Sequence, residues 1–86
     1  MIDSFQVCKN NNVLIIAEPL GNICGFYQMA YDQAIIHINE NVNEKHWETI
    51  VVNLLIYGFL QKSEFVMFTL EQLEQLEHNL NTLKAL

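Results

Sequence analysis

The spacing of hydrophobic positions changes near the middle of the chain. In the first half, short apolar runs alternate with turn-forming residues, as where residues 13–17 meet the segment Glu18-Pro19-Leu20-Gly21-Asn22. Runs of four to eight β-branched and aromatic residues with such boundaries are typical of strands. We therefore expect residues 4–39 to form strands, with a hairpin tip at Tyr31-Asp32-Gln33. The expected strands are residues 4–8, 13–17, 26–29 and 34–39.

The last of these strands has apolar residues on both of its faces. Successive side chains of a strand point to opposite sides, so Ile36 and Ile38 share one face while Ile35 and His37 share the other. A sheet of this kind is covered on both faces, or it uses one face for association.

The second half has the spacing of helices. Residues 43–61 form the first, with Asn41 or Asn43 as its N-cap and an almost wholly apolar end that enters the core. Residues 69–85 form the second, opened by Thr69 and Gln72 as a capping box. Between them, residues 65–68 are a short apolar connector or an edge strand.

These elements predict one α+β domain that spans residues 1–86. The expected architecture is a small antiparallel sheet of three or four strands, one central apolar helix and one amphipathic C-terminal helix. A chain of 86 residues buries roughly 60–65% of its unfolded surface, enough for one modest core. The 51% hydrophobic content leaves room for an apolar patch used in association.

The leucines of the last helix fall at positions 73, 76, 80 and 83, which gives two alternatives. In the first, the stripe packs on the protein's own core. In the second, Leu76, Leu80 and Leu83 form the seam of a homodimer. Barely two heptads are present, whereas a coiled coil is convincing over three or four, so the first alternative is favoured.

The charge of the chain restricts the class of partner. Ten acidic residues and four lysines give a net charge of −6, and arginine is absent. Nucleic-acid binding needs several phosphates neutralised, and arginine supplies the bidentate contacts, so direct binding of DNA or RNA is excluded. An acidic surface suits a basic protein partner or serves solubility.

The compartment follows from what the sequence does not contain. No apolar run approaches the roughly 20 residues of a membrane span, and no signal peptide opens the sequence, so we expect no membrane association and a cytoplasmic location. In a reducing compartment Cys8 and Cys24 are expected to be free, buried thiols.

Two short motifs resemble the ImmA/IrrE family of metallopeptidases over residues 18–60. They are Gly25-Phe26-Tyr27 and Ile36-His37-Ile38-Asn39, followed by an amphipathic helix. The resemblance implies that the zinc ligands would fall at Asn53 and Tyr57, and the glutamate base at Leu54. None of the three side chains suits its role, because the reaction requires two histidines one turn apart and an adjacent glutamate. We therefore expect no enzyme activity, no metal and no cofactor.

A short acidic chain without a catalytic set is expected to act by binding another protein. The resemblance suggests a regulator or inhibitor of phage or mobile-element origin, such as an anti-repressor, an immunity regulator or an inhibitor of a host defence enzyme. An acidic nucleic-acid mimic, which blocks a DNA- or RNA-binding cleft, is the alternative; an enzyme of unrecognised type is a third hypothesis. The candidate protein-binding residues are Glu71, Glu74, Glu77, Tyr27 and Tyr31.

Overall fold

A computed structural model describes residues 3–86. The fold is α+β, as the sequence predicts. The elements, in chain order, are α1 (Ser4–Asn10), β1 (Val13–Glu18), β2 (Ile23–Ala30), β3 (Gln33–Asn39), a 3₁₀ turn (Glu44–His46), α2 (Trp47–Leu54), a π-helical segment (Leu55–Leu60), β4 (Phe65–Thr69), a second 3₁₀ turn (Leu70–Gln72) and α3 (Leu73–Lys84).

The described strands form one mixed sheet in the order β1-β3-β2-β4. Strands β2 and β3 are joined by a two-residue hairpin whose central residues, Tyr31 and Asp32, both have positive φ, as in a type I′ turn. Strand β3 lies between β1 and β2 and runs parallel to β1, with Ile15 opposite Ile36. The expectation of a purely antiparallel sheet was therefore wrong for this one pair. Strand β4 lies at the edge and pairs antiparallel with β2, so residues 65–68 are an edge strand.

Residues 4–8 belong to a helix, and the expected first strand was wrong. The Asp3 side chain caps this helix, because its Oδ1 accepts from the backbone N–H groups of Phe5 and Gln6, each at 3.1 Å. Ser4 and Cys8, one helical turn apart, face inward and are buried. The inward face of the segment therefore has helical spacing.

The first long helix forms where the sequence predicts it, over residues 44–60, with Asn43 as its N-cap. The Asn43 Oδ1 accepts from the N–H of Lys45 at 3.0 Å. Ile50, Val51 and Leu54 are fully buried, which confirms that this helix forms the centre of the core. Its last turns, Leu55–Leu60, widen into a π-helix, a rare form that occurs frequently at functional sites.

Two glycines allow this helix to lie close to the sheet. A Cβ on Gly25 of β2 would lie 2.6 Å from Cγ2 of Ile50, and a Cβ on Gly58 would overlap the ring of Tyr27. Helix and sheet therefore meet with backbone against side chain at both positions. The strands that bear the two resemblance motifs, β2 and β3, supply the inner face of this contact.

Asn39, the last residue of the second motif, has a structural role. It is buried, and its side-chain amide donates to the carbonyls of Gly21 and Ile23 at 3.1 and 3.0 Å. Its Oδ1 accepts from the N–H of Asn41 at 3.0 Å. One side chain thereby fixes the loop between β1 and β2 against the connection that leads to α2.

The last helix begins with the predicted capping box. Thr69 and Gln72 form it, with the Thr69 N–H donating to Oε1 of Gln72 at 2.7 Å.

Cys8 and Cys24 are free and buried, and burial raises the pKa of each thiol to about 11. Within residues 3–86, no helix combines the length and the apolar character that crossing a bilayer requires.

Candidate binding surfaces

The positions at which the resemblance places catalytic residues have structural contacts. Leu54 is fully buried, and the Asn53 amide is buried and donates to the carbonyl of Thr49 at 2.8 Å. Tyr57 packs edge-on against Phe68, with ring centroids 6.1 Å apart. Across residues 3–86, the structure contains no group of three or more His, Cys, Asp or Glu side chains that could hold a metal ion.

The three candidate glutamates at the C-terminal helix, Glu71, Glu74 and Glu77, differ in their environments. The Glu77 Oε1 accepts from the hydroxyl of Thr49 at 2.6 Å and lies 2.9 Å from Nδ1 of His46, so this carboxylate ties α3 to the start of α2. Partial burial acts to raise the pKa of Glu77, but these hydrogen bonds, with the charges of His46 and Lys84, lower it overall. Glu77 is therefore partly buried and holds contacts within its own chain, whereas Glu71 and Glu74 are exposed, so the two exposed acids are the better candidates for a partner surface.

The leucine stripe is divided in the same way. Leu76 and Leu80 are buried within this chain, Leu76 in its core cluster, which supports the favoured alternative of packing on the protein's own core over a homodimer seam of Leu76, Leu80 and Leu83. Leu83 remains 50% exposed.

The two candidate tyrosines have opposite environments. Tyr27 is fully buried beneath Gly58 and cannot face a partner, so that assignment was wrong. Tyr31 is fully exposed at the tip of the β2–β3 hairpin, with φ of 51°. A bulky residue with positive φ is strained, which leaves Tyr31 as an exposed aromatic held in an unusual backbone conformation.

An apolar groove runs along α2 and the π-helical segment, between α1 and the end of α3. We call it the helical groove, and its volume is about 620 Å³. Leu60 and Leu83 stand at its surface with 68% and 50% of their area exposed. The lining residues are Ser4, Val7, Asn11, Glu48, Val52, Leu55, Ile56, Phe59, Leu60, Leu80, Leu83 and Lys84.

Two features distinguish the helical groove from an ordinary gap between helices. Half of its long wall is the π-helical segment, which includes Leu55, Ile56, Phe59 and Leu60. The hydroxyl of Ser4, a residue that also lines the groove, is buried and has no hydrogen-bond partner among residues 3–86. A buried hydroxyl without a partner is costly.

The second apolar surface is the side of the sheet that faces away from the helices, which we call the open face. The pairing register places its members side by side across all four strands, and Phe65 and Met67 of β4 are 57% and 43% exposed. The core residues Ile36 and Ile38 point to the opposite face and pack under α2. The members of the open face are Leu14, Ile16, Glu18, Phe26, Gln28, Ile35, His37, Phe65 and Met67.

The two ionisable groups of the open face, Glu18 and His37, form one pair. Nδ1 of His37 lies 2.7 Å from Oε1 of Glu18, and the His37 ring stacks on Phe26 with centroids 4.0 Å apart. The Nε2 of His37 is buried and has no partner among residues 3–86. The centre of the face is thus aromatic and nearly free of charge.

The chain was compared with family models, with curated proteins and with solved structures, and none of them matches. The resemblance to ImmA/IrrE metallopeptidases therefore remains a prediction that depends on the two short motifs in β2 and β3.

Sequence reasoning missed most residues of both surfaces. The alternation of Ile35 and His37 with Ile36 and Ile38 did indicate a sheet with two apolar faces, and the open face is the uncovered one. No such signal was available for Val7 or Val52, because the helical groove is assembled from three helices far apart in the sequence.

Proposed function

We propose that this protein is a non-enzymatic regulator or inhibitor that binds another protein by taking an amphipathic helix of that protein into the helical groove. One observation carries the proposal: a long apolar groove, open at Leu60 and Leu83, lies between the three helices. In helix-in-groove recognition, apolar side chains spaced at i, i+3, i+4 and i+7 enter such a groove.

The dimensions of the helical groove support a helix as the occupant. The lining residues of its long wall run from Glu48 to Leu60 and are Glu48, Val52, Leu55, Ile56, Phe59 and Leu60. At about 1.5 Å per residue this wall is roughly 18 Å long, which corresponds to a helix of about three turns. The volume of about 620 Å³ lies within the range of pockets that hold small ligands, so it suits the apolar side chains on one face of such a helix and not the whole helix.

Charge supports a basic partner. The chain has a net charge of −6, and the acidic residues Glu44, Glu48, Glu71 and Glu74 are carried by the helices and their caps. Such a field accelerates association with a basic protein, for example a nucleic-acid-binding protein. A regulator of this kind agrees with the phage or mobile-element setting that the family resemblance suggests.

The alternative of a nucleic-acid mimic has less support. It requires a row of free carboxylates on α3, but Glu77 is bonded to Thr49 and His46. Glu71 and Glu74 are left, flanked by Gln75 and His78. Two exposed carboxylates do not reproduce the regular charge of a phosphate backbone.

The proposal is tested by comparing partners of the wild type with those of Leu83→Glu. Partners captured from the source cells are identified by mass spectrometry, and the affinity of each purified partner is then measured. A charge placed in the helical groove should weaken binding by about 100-fold, the effect of losing a binding hot spot. Leu86→Glu, the same change at a fully exposed leucine three residues further on, is the matched control and should bind as the wild type does.

A partner that binds Leu83→Glu and the wild type equally would contradict the proposed groove site. Tyr31→Ser then becomes informative, because loss of binding in that variant alone would move the site to the hairpin tip. Both variants change exposed side chains, so a thermal melt close to that of the wild type is expected for each.

A further inference from the structure

The geometry of the open face points to a second copy of this chain as the molecule that covers it, so that the protein is a dimer paired sheet to sheet. This inference uses a surface separate from the helical groove, and it does not depend on the proposed function. The leucine seam is not involved, because Leu76 and Leu80 are buried within their own chain.

The area of the open face fits a small dimer interface. Four strands about 4.8 Å apart and about six residues long cover roughly 20 Å by 20 Å. Pairing two such faces buries on the order of 1,000 Å² of accessible surface, because protruding side chains add to the area of the two rectangles. This total is near the lower limit for a specific interface. Leaving the face in water is unusual, because exposed apolar patches of several hundred Å² mark interaction sites.

The distribution of charge selects a second copy over a basic partner for this face. The four described strands contain one acidic residue, Glu18, and no lysine. The carboxylate of Glu18 is already paired with His37. Two chains that each carry −6 can therefore meet at this face without placing like charges opposite each other, whereas a basic partner finds no free acid there.

The shape of the open face also allows the open faces of two copies to pack against each other. Two twisted sheets stack with their inner side chains interdigitating at a separation of about 10 Å. A two-fold axis through such a contact uses the same surface on both chains. The result is a four-layer arrangement with the sheets inside and the helices outside, which keeps the acidic helices apart and leaves both helical grooves accessible.

Sedimentation equilibrium over a range of concentrations tests the inference with two matched variants. Met67→Glu puts a charge on the open face and Leu83→Glu puts one in the helical groove; the wild-type residues have similar exposure. We expect the wild type and Leu83→Glu to sediment at twice the 10.0 kDa chain mass. Met67→Glu should dissociate, with a dimer dissociation constant raised about 100-fold or more, because the symmetric interface would bury two unpaired carboxylates.

Three results would overturn the inference. A wild-type protein that stays monomeric at every concentration means that the open face does not pair with itself. A dimer lost in Leu83→Glu and kept in Met67→Glu places the interface at the groove. Should Met67→Glu lose its native circular dichroism, Ile16→Glu on strand β1 decides the matter in the same way: a folded monomer supports the inference and an intact dimer overturns it.

Discussion

The open face and the helical groove are both apolar, yet they differ in shape and in electrostatic surroundings. The open face spans four strands and contains a single carboxylate that is already paired. The helical groove is concave, is bounded by three helices, and has Glu48 and Lys84 among its lining residues. A broad sheet surface with little free charge suits a copy of itself, whereas a concave surface suits a convex partner such as a helix.

The same comparison explains why the chain has two apolar surfaces. The centre of one side of the sheet is covered, because Ile36, Ile38 and Tyr27 lie under α2. With one helical layer and one sheet layer, nothing in residues 3–86 is left to cover the other side, and α1 and α3 do not close over the π-helical segment. Apolar area that a short chain cannot bury within itself is available for association.

The largest expected effect is a loss of stability, and it distinguishes a residue of the core from a residue of the helical groove. Leu54→Ala removes a fully buried side chain between helix and sheet and should lower the free energy of unfolding by about 2–5 kcal/mol. Leu83→Ala, at the half-exposed edge of the groove, should change it by no more than about 1 kcal/mol. Urea denaturation of both variants measures the difference. Equal losses would mean that Leu83 is as much a core residue as Leu54.

A smaller loss of stability is expected from a substitution at Gly58, where the helix that forms the groove wall contacts the sheet. In Gly58→Ala the new methyl group overlaps the Tyr27 ring, and such overpacking costs about 1–3 kcal/mol. Combining it with Tyr27→Leu, which removes the ring, should make the two costs less than additive in a double-mutant cycle. Strict additivity would show that Gly58 and Tyr27 are not in contact.

The acids of α3 provide the third prediction. Glu77→Gln should lower the free energy of unfolding by about 1–2 kcal/mol at pH 7, since it weakens charge-assisted hydrogen bonds to Thr49 and His46. The pKa of Glu77 is lowered in the folded protein from 4.5, so this contribution is fully present above pH 4.5 and is lost as the pH falls through the folded-state pKa. The variant and the wild type should therefore converge in acid.

Glu74→Gln is the control for this prediction, because Glu74 is exposed on the same helix. Its effect should stay within about 0.5 kcal/mol at every pH. A loss in Glu77→Gln that persists unchanged at low pH would contradict the charged hydrogen bonds and indicate lost packing.

Much of the fold could be predicted because local signals agree with it. The β-branched run of β1, the Asn43 cap and the Thr69–Gln72 capping box each specify a structure through neighbours in the sequence. The first helix was missed because its signal is the single cap Asp3, while the residues after it also suit a strand. The parallel pairing of β1 with β3 depends on where β2 lies, which no local pattern specifies.

The candidate sites were harder to predict because burial is decided by distant residues. Tyr27 and Tyr31 are four positions apart in similar sequence, yet Tyr27 is buried through contact with Gly58 of the far helix. Glu74 and Glu77 differ because Thr49 and His46 lie beneath only the second of them. Which of two residues of the same type is buried therefore depends on tertiary packing and not on their spacing in the sequence.

A photo-crosslinking amino acid placed at either surface tests most directly the claim that the two surfaces have different occupants. At position 67 it should join two copies of the chain and give a product of twice 10.0 kDa in the purified protein alone. At position 83 it should give no such product in the purified protein and, in source cells, a heavier adduct with a different protein. A self-crosslink at position 83 and none at position 67 would contradict the account.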